Sequence, residues 1–260
     1  FIIKKYKEKS MENAIEIKNL CKTFGTKKAV DNLSLEIKEG ELFSLLGVNG
    51  AGKTTTIKML CGLCSATSGD ATLGGYSISK ESLKVKEIIN VSPQETAIAQ
   101  NLTVKENLEF IAGIYGASKE EQKAKAQKMI EDFNLEEFQN QRAKTLSGGY
   151  KRRLSIGIAL ISEPKILFLD EPTLGLDVLA RRELWNVISS LKGKITIILT
   201  THYLEEAESL SDRIAVMAQG KLKALGTAAE LIEKTDAKNF EDAFVSLCTD
   251  TTTGGNHNEN

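Results

Sequence analysis

Three sets of residues in this sequence have the types and spacing for phosphate chemistry. The first runs from Gly47 to Thr56, GVNGAGKTTT, and fits the pattern G-x-x-x-x-G-K-[ST]. Gly47, Gly50 and Gly52 lack Cβ atoms, so the backbone can adopt positive φ and aim successive N–H groups at one anion. A helix N-terminus behind them adds partial positive charge. In such a loop Lys53 reaches the β- and γ-phosphates of a nucleotide, and the Thr54 hydroxyl is a Mg²⁺ ligand. The competing reading is an ordinary glycine turn between a strand and a helix.

Two further sets bear on that choice. ILFLDE, residues 166–171, is an apolar run capped by two acids, as a buried parallel strand would be. Asp170 stands at its carboxyl end, where the Mg²⁺ partner of a phosphate loop belongs. Glu171, one residue on, is expected to face the other way and to work on water; the alternative, a solvated strand end, leaves the loop without an acidic partner. ITIILT, residues 195–200, leads to Thr201 and His202, a histidine at a strand's carboxyl end beside the other candidates, whereas His257 falls in a polar tail. Gln94 follows the short apolar stretch that ends at Pro93. In TLSGGY, residues 145–150, Ser147 is a good N-cap and two glycines let backbone approach a ligand, although the same residues fit a plain loop. Phe24, in KTFG, either stacks on a nucleobase or packs into the core.

The elements that must position these residues are legible from periodicity. Apolar residues alternate in AIEIKNL (14–20) and at Leu33, Leu35 and Ile37, which predicts half-buried strands. ELFSLL (41–46) predicts the strand before the glycine loop, and Thr54 to Leu63 the helix after it. A turn and strand follow over 67–78 and a short strand over 88–95. Thr103 to Asn140 turns helical, with capping boxes at TVKE (103–106) and SKEE (118–121). This is a helical block inserted in a strand-rich chain. A helix is expected from about Leu179 to Leu191, and a hairpin pairs 213–218 with 221–225 around Gln219–Gly220. A short helix and a last amphipathic turn over 240–247 precede TDTTTGGNHNEN, which is expected to be disordered.

Composition narrows the class. Thirty-four basic and 35 acidic residues in 260 give a net charge of −1, so the total shows no electrostatic footprint for nucleic acid. No apolar run approaches the ~18 residues of a membrane span. FIIKKYKEKS at the start has too short an apolar stretch for a secretory signal, and residues 1–10 read as an extension outside the fold. Cys61 and Cys64 form the single C-x-x-C and read as small apolar groups at the end of a helix, not as redox or zinc chemistry.

Taken together, these residues resemble the ATPase subunit, or nucleotide-binding domain, of ABC transporters, over Ile15 to about Thr227. GVNGAGKT looks like the Walker A motif, Gln94 the Q-loop, LSGGY the signature, ILFLDE the Walker B, GLD (175–177) the D-loop and His202 the switch histidine. Tyr150 departs from the family's LSGGQ and is expected to alter packing only. The resemblance implies an α/β fold: a P-loop NTPase, RecA-like core with an antiparallel β subdomain and a helical subdomain at about 95–160, within an ATPase domain of residues 11–230, followed by a short helix and tail at 231–260. It implies ATP and Mg²⁺ as cofactors. Phe24, Gly47, Asn49, Gly50, Gly52, Lys53, Thr54 and Thr55 hold nucleotide, with Ser147, Gly148 and Gly149 reaching it from a second subunit in a head-to-tail dimer. Thr54, Gln94 and Asp170 serve the metal, while Glu171, His202 and Gln94 serve hydrolysis. The partners implied are a separate transmembrane permease and a second nucleotide-binding subunit, identical or paired, with no nucleic acid. The place implied is the cytoplasmic face of a membrane, and NLTVKENLEFIAGIYG and THYLEEAESLSDRIAVMAQGKL look most like the exporter type. A soluble single-cassette ATPase, for instance in cofactor assembly, and a nucleotide-binding regulator without turnover remain the alternatives.

Overall fold

The computed structural model describes residues 13–249; the expectations for residues 1–10, for His257 and for nearly all of the polar tail fall outside them. Two long strands come first, β1 (Asn13–Phe24) and β2 (Lys27–Lys38), paired antiparallel. The alternation of AIEIKNL breaks before Leu20. Asn19 has φ 50°, the register shifts between Ile17 and Leu20, and this bulge returns Leu20 to the buried face. Then come β3 (Leu42–Leu46) and α1 (Lys53–Leu60). α1 ends in a Schellman motif, with Gly62 at φ 66° and N–H bonds from Gly62 to the Met59 carbonyl (3.0 Å) and from Leu63 to the Lys58 carbonyl (2.8 Å). The helix therefore stops before Leu63, and Cys61 is buried behind it. Burial pushes the Cys61 thiol up, which makes it inert as a nucleophile.

β4 (Ser68–Leu73) and β5 (Tyr76–Ser77) complete a four-stranded antiparallel sheet in the order β2-β1-β4-β5. A short helix the periodicity did not announce, α2 (Ser82–Ile88), leads into β6 (Ile89–Ser92). Next are α3 (Val104–Ile114) and α4 (Lys119–Asp132), each opened by the full capping box at Thr103/Glu106 and Ser118/Glu121. The chain continues through α5 (Gly148–Leu160), β7 (Ile166–Asp170), α6 (Val178–Ser189), β8 (Thr196–Thr201), α7 (Leu204–Leu210), the hairpin β9 (Arg213–Ala218) and β10 (Lys221–Gly226), then α8 (Ala228–Thr235) and α9 (Phe240–Thr249). The last is a helix of ten residues, longer than the amphipathic turn read there.

The second sheet has six strands in the order β10-β9-β3-β8-β7-β6. All neighbours pair parallel except β9 with β10. Its central strands are buried on both faces, which is why they read as unbroken apolar runs. Leu167, Leu169, Ile197 and Leu199 pack with residues of α3 to α6, such as Leu108, Ile130 and Ile188, and with Phe133 at the end of α4. Their alternates Ile166, Phe168 and Ile198 pack with Ile57 and Leu60 of α1 and with the antiparallel sheet. The carboxyl ends of β3, β7 and β8 therefore open on one edge, between a helical layer and an antiparallel β layer.

Candidate functional site

The glycine loop turns from β3 into α1 under tight steric control. At Gly47 the requirement is space, not positive φ: a Cβ there would lie 2.3 Å from the Met217 carbonyl oxygen of β9. Gly52 needs both, with φ 104° and a would-be Cβ 2.5 Å from the Ala29 carbonyl oxygen, while Gly50 has φ 81° in open space. Lys53 is buried, and its Nζ curls back to donate to the Gly47 carbonyl at 2.6 Å. The first N–H groups of α1 have no partners within the helix and edge a cavity of about 260 Å³, lined also by Asn49, Gly50, Thr54, Thr55, Phe24 and Glu171. Phe24 is 54% exposed, which removes the core-packing alternative; the Lys22 ammonium covers its ring at 4.9 Å.

The acidic end comes from β7. Asp170 Oδ1 accepts from Thr54 Oγ1 at 3.2 Å and from Thr200 Oγ1 at 2.5 Å. Glu171 does not continue the strand's alternation. Its φ is 49°, and its N–H donates to the Thr200 carbonyl and lies 3.1 Å from Thr200 Oγ1. Both carboxylates consequently reach the first turn of α1, contrary to the opposed facing expected: Asp170 meets Thr54, and Glu171 Oε1 lies 3.5 Å from Lys53 Nζ. Glu171 Oε2 lies 2.8 Å from His202 Nδ1, so the imidazole carries its proton on Nδ1 toward the carboxylate. His202 is braced by Tyr203, with ring centroids 4.2 Å apart, and Tyr203 by Arg181.

Gln94 is exposed two residues beyond β6 and is not among the residues lining the 260 Å³ cavity. Neither are Ser147, Gly148 and Gly149. Ser147 holds the N-cap position of α5, but its side chain makes no cap hydrogen bond, and Ser147 and Gly148 are exposed. Tyr150, the departure from LSGGQ, turns inward: its ring stacks on Phe138 at 4.1 Å and under the Arg153 guanidinium at 5.1 Å, beside a larger cavity of about 550 Å³ that contains none of the phosphate-chemistry residues. Arg153 also bonds to Glu183 of α6.

Three residues escaped the sequence reading. Thr200 holds Asp170 and the Glu171 backbone; a threonine ending an apolar run was its only signal. Arg152 is 4% exposed and, among the described residues, its guanidinium donates only to main-chain carbonyls, including Asp170 at 2.7 Å and Pro172 at 2.8 Å. Burial pulls its pKa down to about 10, against the opposing pull of Asp170, Glu206 and Glu171. Glu206 of α7 is fully buried, and Trp185 Nε1 donates to it at 3.1 Å. Nothing in their spacing marked Arg152 or Glu206.

Thr54 Oγ1 and Asp170 Oδ1, two oxygens 3.2 Å apart beside a phosphate loop, are the hard donors that Mg²⁺ takes when phosphates and waters supply the rest of its shell. The residues present fit that ion.

Comparison with known proteins agrees with this geometry. The family model described as ABC transporter matches residues 30–174. Human phospholipid-transporting ATPase ABCA3 is 44% identical over 227 residues, which span 86% of this chain and 13% of that protein. The linearmycin resistance ATP-binding protein LnrL of Bacillus subtilis (strain 168) is 42% identical over 233 residues, 89% of this chain and 75% of LnrL. A dimeric post-hydrolysis structure of the ATP-binding cassette MJ0796, bound to ADP and Pi, superposes with a TM-score of 0.73 at 27% identity, over 82% of this chain and 98% of that one. With more than half its length matched by the family model, the chain belongs to the ABC transporter family.

Proposed function

We propose that the chain drives an exporter by closing against a second nucleotide-binding subunit around ATP and reopening after hydrolysis, with a separate permease carrying the substrate. The observation that carries this reading is the meeting of Lys53, Glu171 and His202 at the start of α1. Lys53 Nζ is held between the Gly47 carbonyl and Glu171. An incoming γ-phosphate competes for that ammonium and leaves the Glu171 carboxylate to accept a proton from water, while His202 keeps the carboxylate oriented through Nδ1. Gly50, Gly52, Lys53, Thr54 and Thr55 cradle the phosphates, Asn49 and Gly47 shape the loop, and Phe24 stacks on the base. Thr54 and Asp170, with Gln94 through water, would hold Mg²⁺, which neutralises phosphate charge when bound.

Ser147 and Gly148 sit exposed, Gly149 half-buried beside them, and all three lie apart from their own phosphate loop, which supports their completing the site of a second copy. The dimeric form of the MJ0796 cassette supports the same arrangement. In this reading residues 11–230 form the ATPase domain, residues 95–160 its helical subdomain, and residues 1–10 and 231–260 flank it. The exporter assignment draws on LnrL, a resistance protein named as ATP-binding. Among the described residues no helix is long and apolar enough to cross a membrane; the proposed place is the cytoplasmic membrane face, beside the permease. Glu171→Gln tests the core of the reading: phosphate release should fall about 10²–10⁴-fold while ATP still binds. Near-normal release would refute the role of Glu171.

A further inference from the structure

Arg152 lies five residues beyond Ser147, on the second turn of α5. A guanidinium presents five donors in a rigid fork and no acceptor. Here the donors meet carbonyls of two separate segments. Nη1 donates to Pro93 and, at 3.3 Å, to Gln94, on the loop after β6; Nη2 donates to Asp170, the last residue of β7, and Nε to Pro172, just beyond it. Among the described residues no carboxylate forms an ion pair with it, so a buried cation is spent on main chain alone. The Asp170 and Pro172 carbonyls flank Glu171, whose φ of 49° costs a non-glycine residue energy and persists only where neighbours over-determine it. The Arg152 bonds on either side, with the Glu171 N–H bond to the Thr200 carbonyl, supply that over-determination.

We infer that Arg152 is a positioning residue: it clamps the backbone on both sides of Glu171 to the Gln94 loop, so that the placement of both residues follows the signature helix that carries it. The inference rests on the hydrolytic role proposed above for Glu171. It also gives α5 a direct route from Ser147 at its exposed end to the acidic end of the site: among the described residues the hydrogen bonds of the Arg152 guanidinium go to the loop after β6 and to the chain on either side of Glu171, not to the phosphate loop.

The test uses the full chain with Arg152→Lys, which keeps the charge but offers one ammonium where two segments need a fork. The kcat for ATP should fall about 10²-fold, the effect of a reacting group misplaced by ~1 Å, with ATP affinity unchanged. Deuterium uptake should rise in the peptides that cover residues 93–96 and 170–173 and stay level in the phosphate loop. Unchanged kcat and uptake would overturn the inference, as would parallel loss of kcat and affinity. Arg152→Gln, which retains two amide donors, serves if the lysine variant melts early; failure of both to fold would assign Arg152 to stability alone and also overturn it. If the unmodified chain releases no phosphate, raised uptake in the variant still establishes the clamp, and the hydrolytic reading is what fails.

Discussion

Replacing Glu206 by glutamine should make the protein progressively more stable than its parent as pH rises. The Glu206 carboxyl is 0% exposed. Oε1 accepts from Trp185 Nε1 at 3.1 Å, while Oε2 is buried without a hydrogen-bond partner. Burial raises its pKa above the usual 4.5; the nearby Thr201 and Thr173 hydroxyls and the Trp185 indole oppose the shift in part, and the Glu171 charge adds to it. The buried Arg152 guanidinium gives its donors to carbonyls instead. Because the folded chain holds this proton more tightly than the unfolded one, the stability it contributes is complete below the unfolded pKa and is lost as pH rises through the folded pKa. The substituted amide would be neutral throughout, keep an acceptor for Trp185 and place its NH₂ beside the Thr173 hydroxyl, which is buried and likewise unpartnered. The gap in unfolding free energy should therefore be small near pH 4.5 and widen, by at most about 1.4 kcal/mol per pH unit, until the folded pKa is passed. Urea unfolding of both proteins at several pH values reads it directly. A gap that does not change with pH, or a parent that gains on the variant as pH rises, would refute the reasoning and show Glu206 to be a stabilised anion. Glu206→Leu is the control: it orphans Trp185 Nε1 and should cost about 1–3 kcal/mol.

Gly47→Ala should lower stability by about 1–3 kcal/mol and weaken ATP binding, because the new methyl meets the Met217 carbonyl oxygen at 2.3 Å in β9, a strand paired on both sides; melting and nucleotide titration check both, and a neutral variant would show that the loop adapts. Phe24→Ala should weaken ATP by about 1–3 kcal/mol while Phe24→Trp is tolerated, and since the ring is 54% exposed melting should hardly change. Lys53→Ala and Ser147→Arg should each abolish phosphate release alone and restore part of it when mixed, since a heterodimer holds one site free of both defects; silence with heterodimers present and no trapped nucleotide would count against a site shared between subunits.

Much of the candidate site was legible because it is local. A phosphate loop is one stretch of ten residues, its lysine and glycines set by the geometry of an anion on a helix end. The capping boxes at Thr103 and Ser118 are bonds between residues three apart. The buried strands LFSLL and ILFLD read as continuous apolar runs because both faces are covered. Other features depend on partners far away in the chain. That Glu171 turns to meet Lys53 and His202, instead of facing away from Asp170, follows from a left-handed φ held by Arg152 and Thr200 from other elements, and strand alternation pointed the other way. The burial of Leu20 needed a bulge at Asn19, which Ser34 Oγ of β2 supports through the Asn19 N–H. The choice for Phe24 between core and surface was open in the sequence, since an aromatic residue beside a glycine suits either. Arg152 and Glu206 had no signal at all, because a buried charge is defined by the carbonyls, indole and hydroxyls that surround it, and those are contributed by segments that meet only when the sheet and helices have closed.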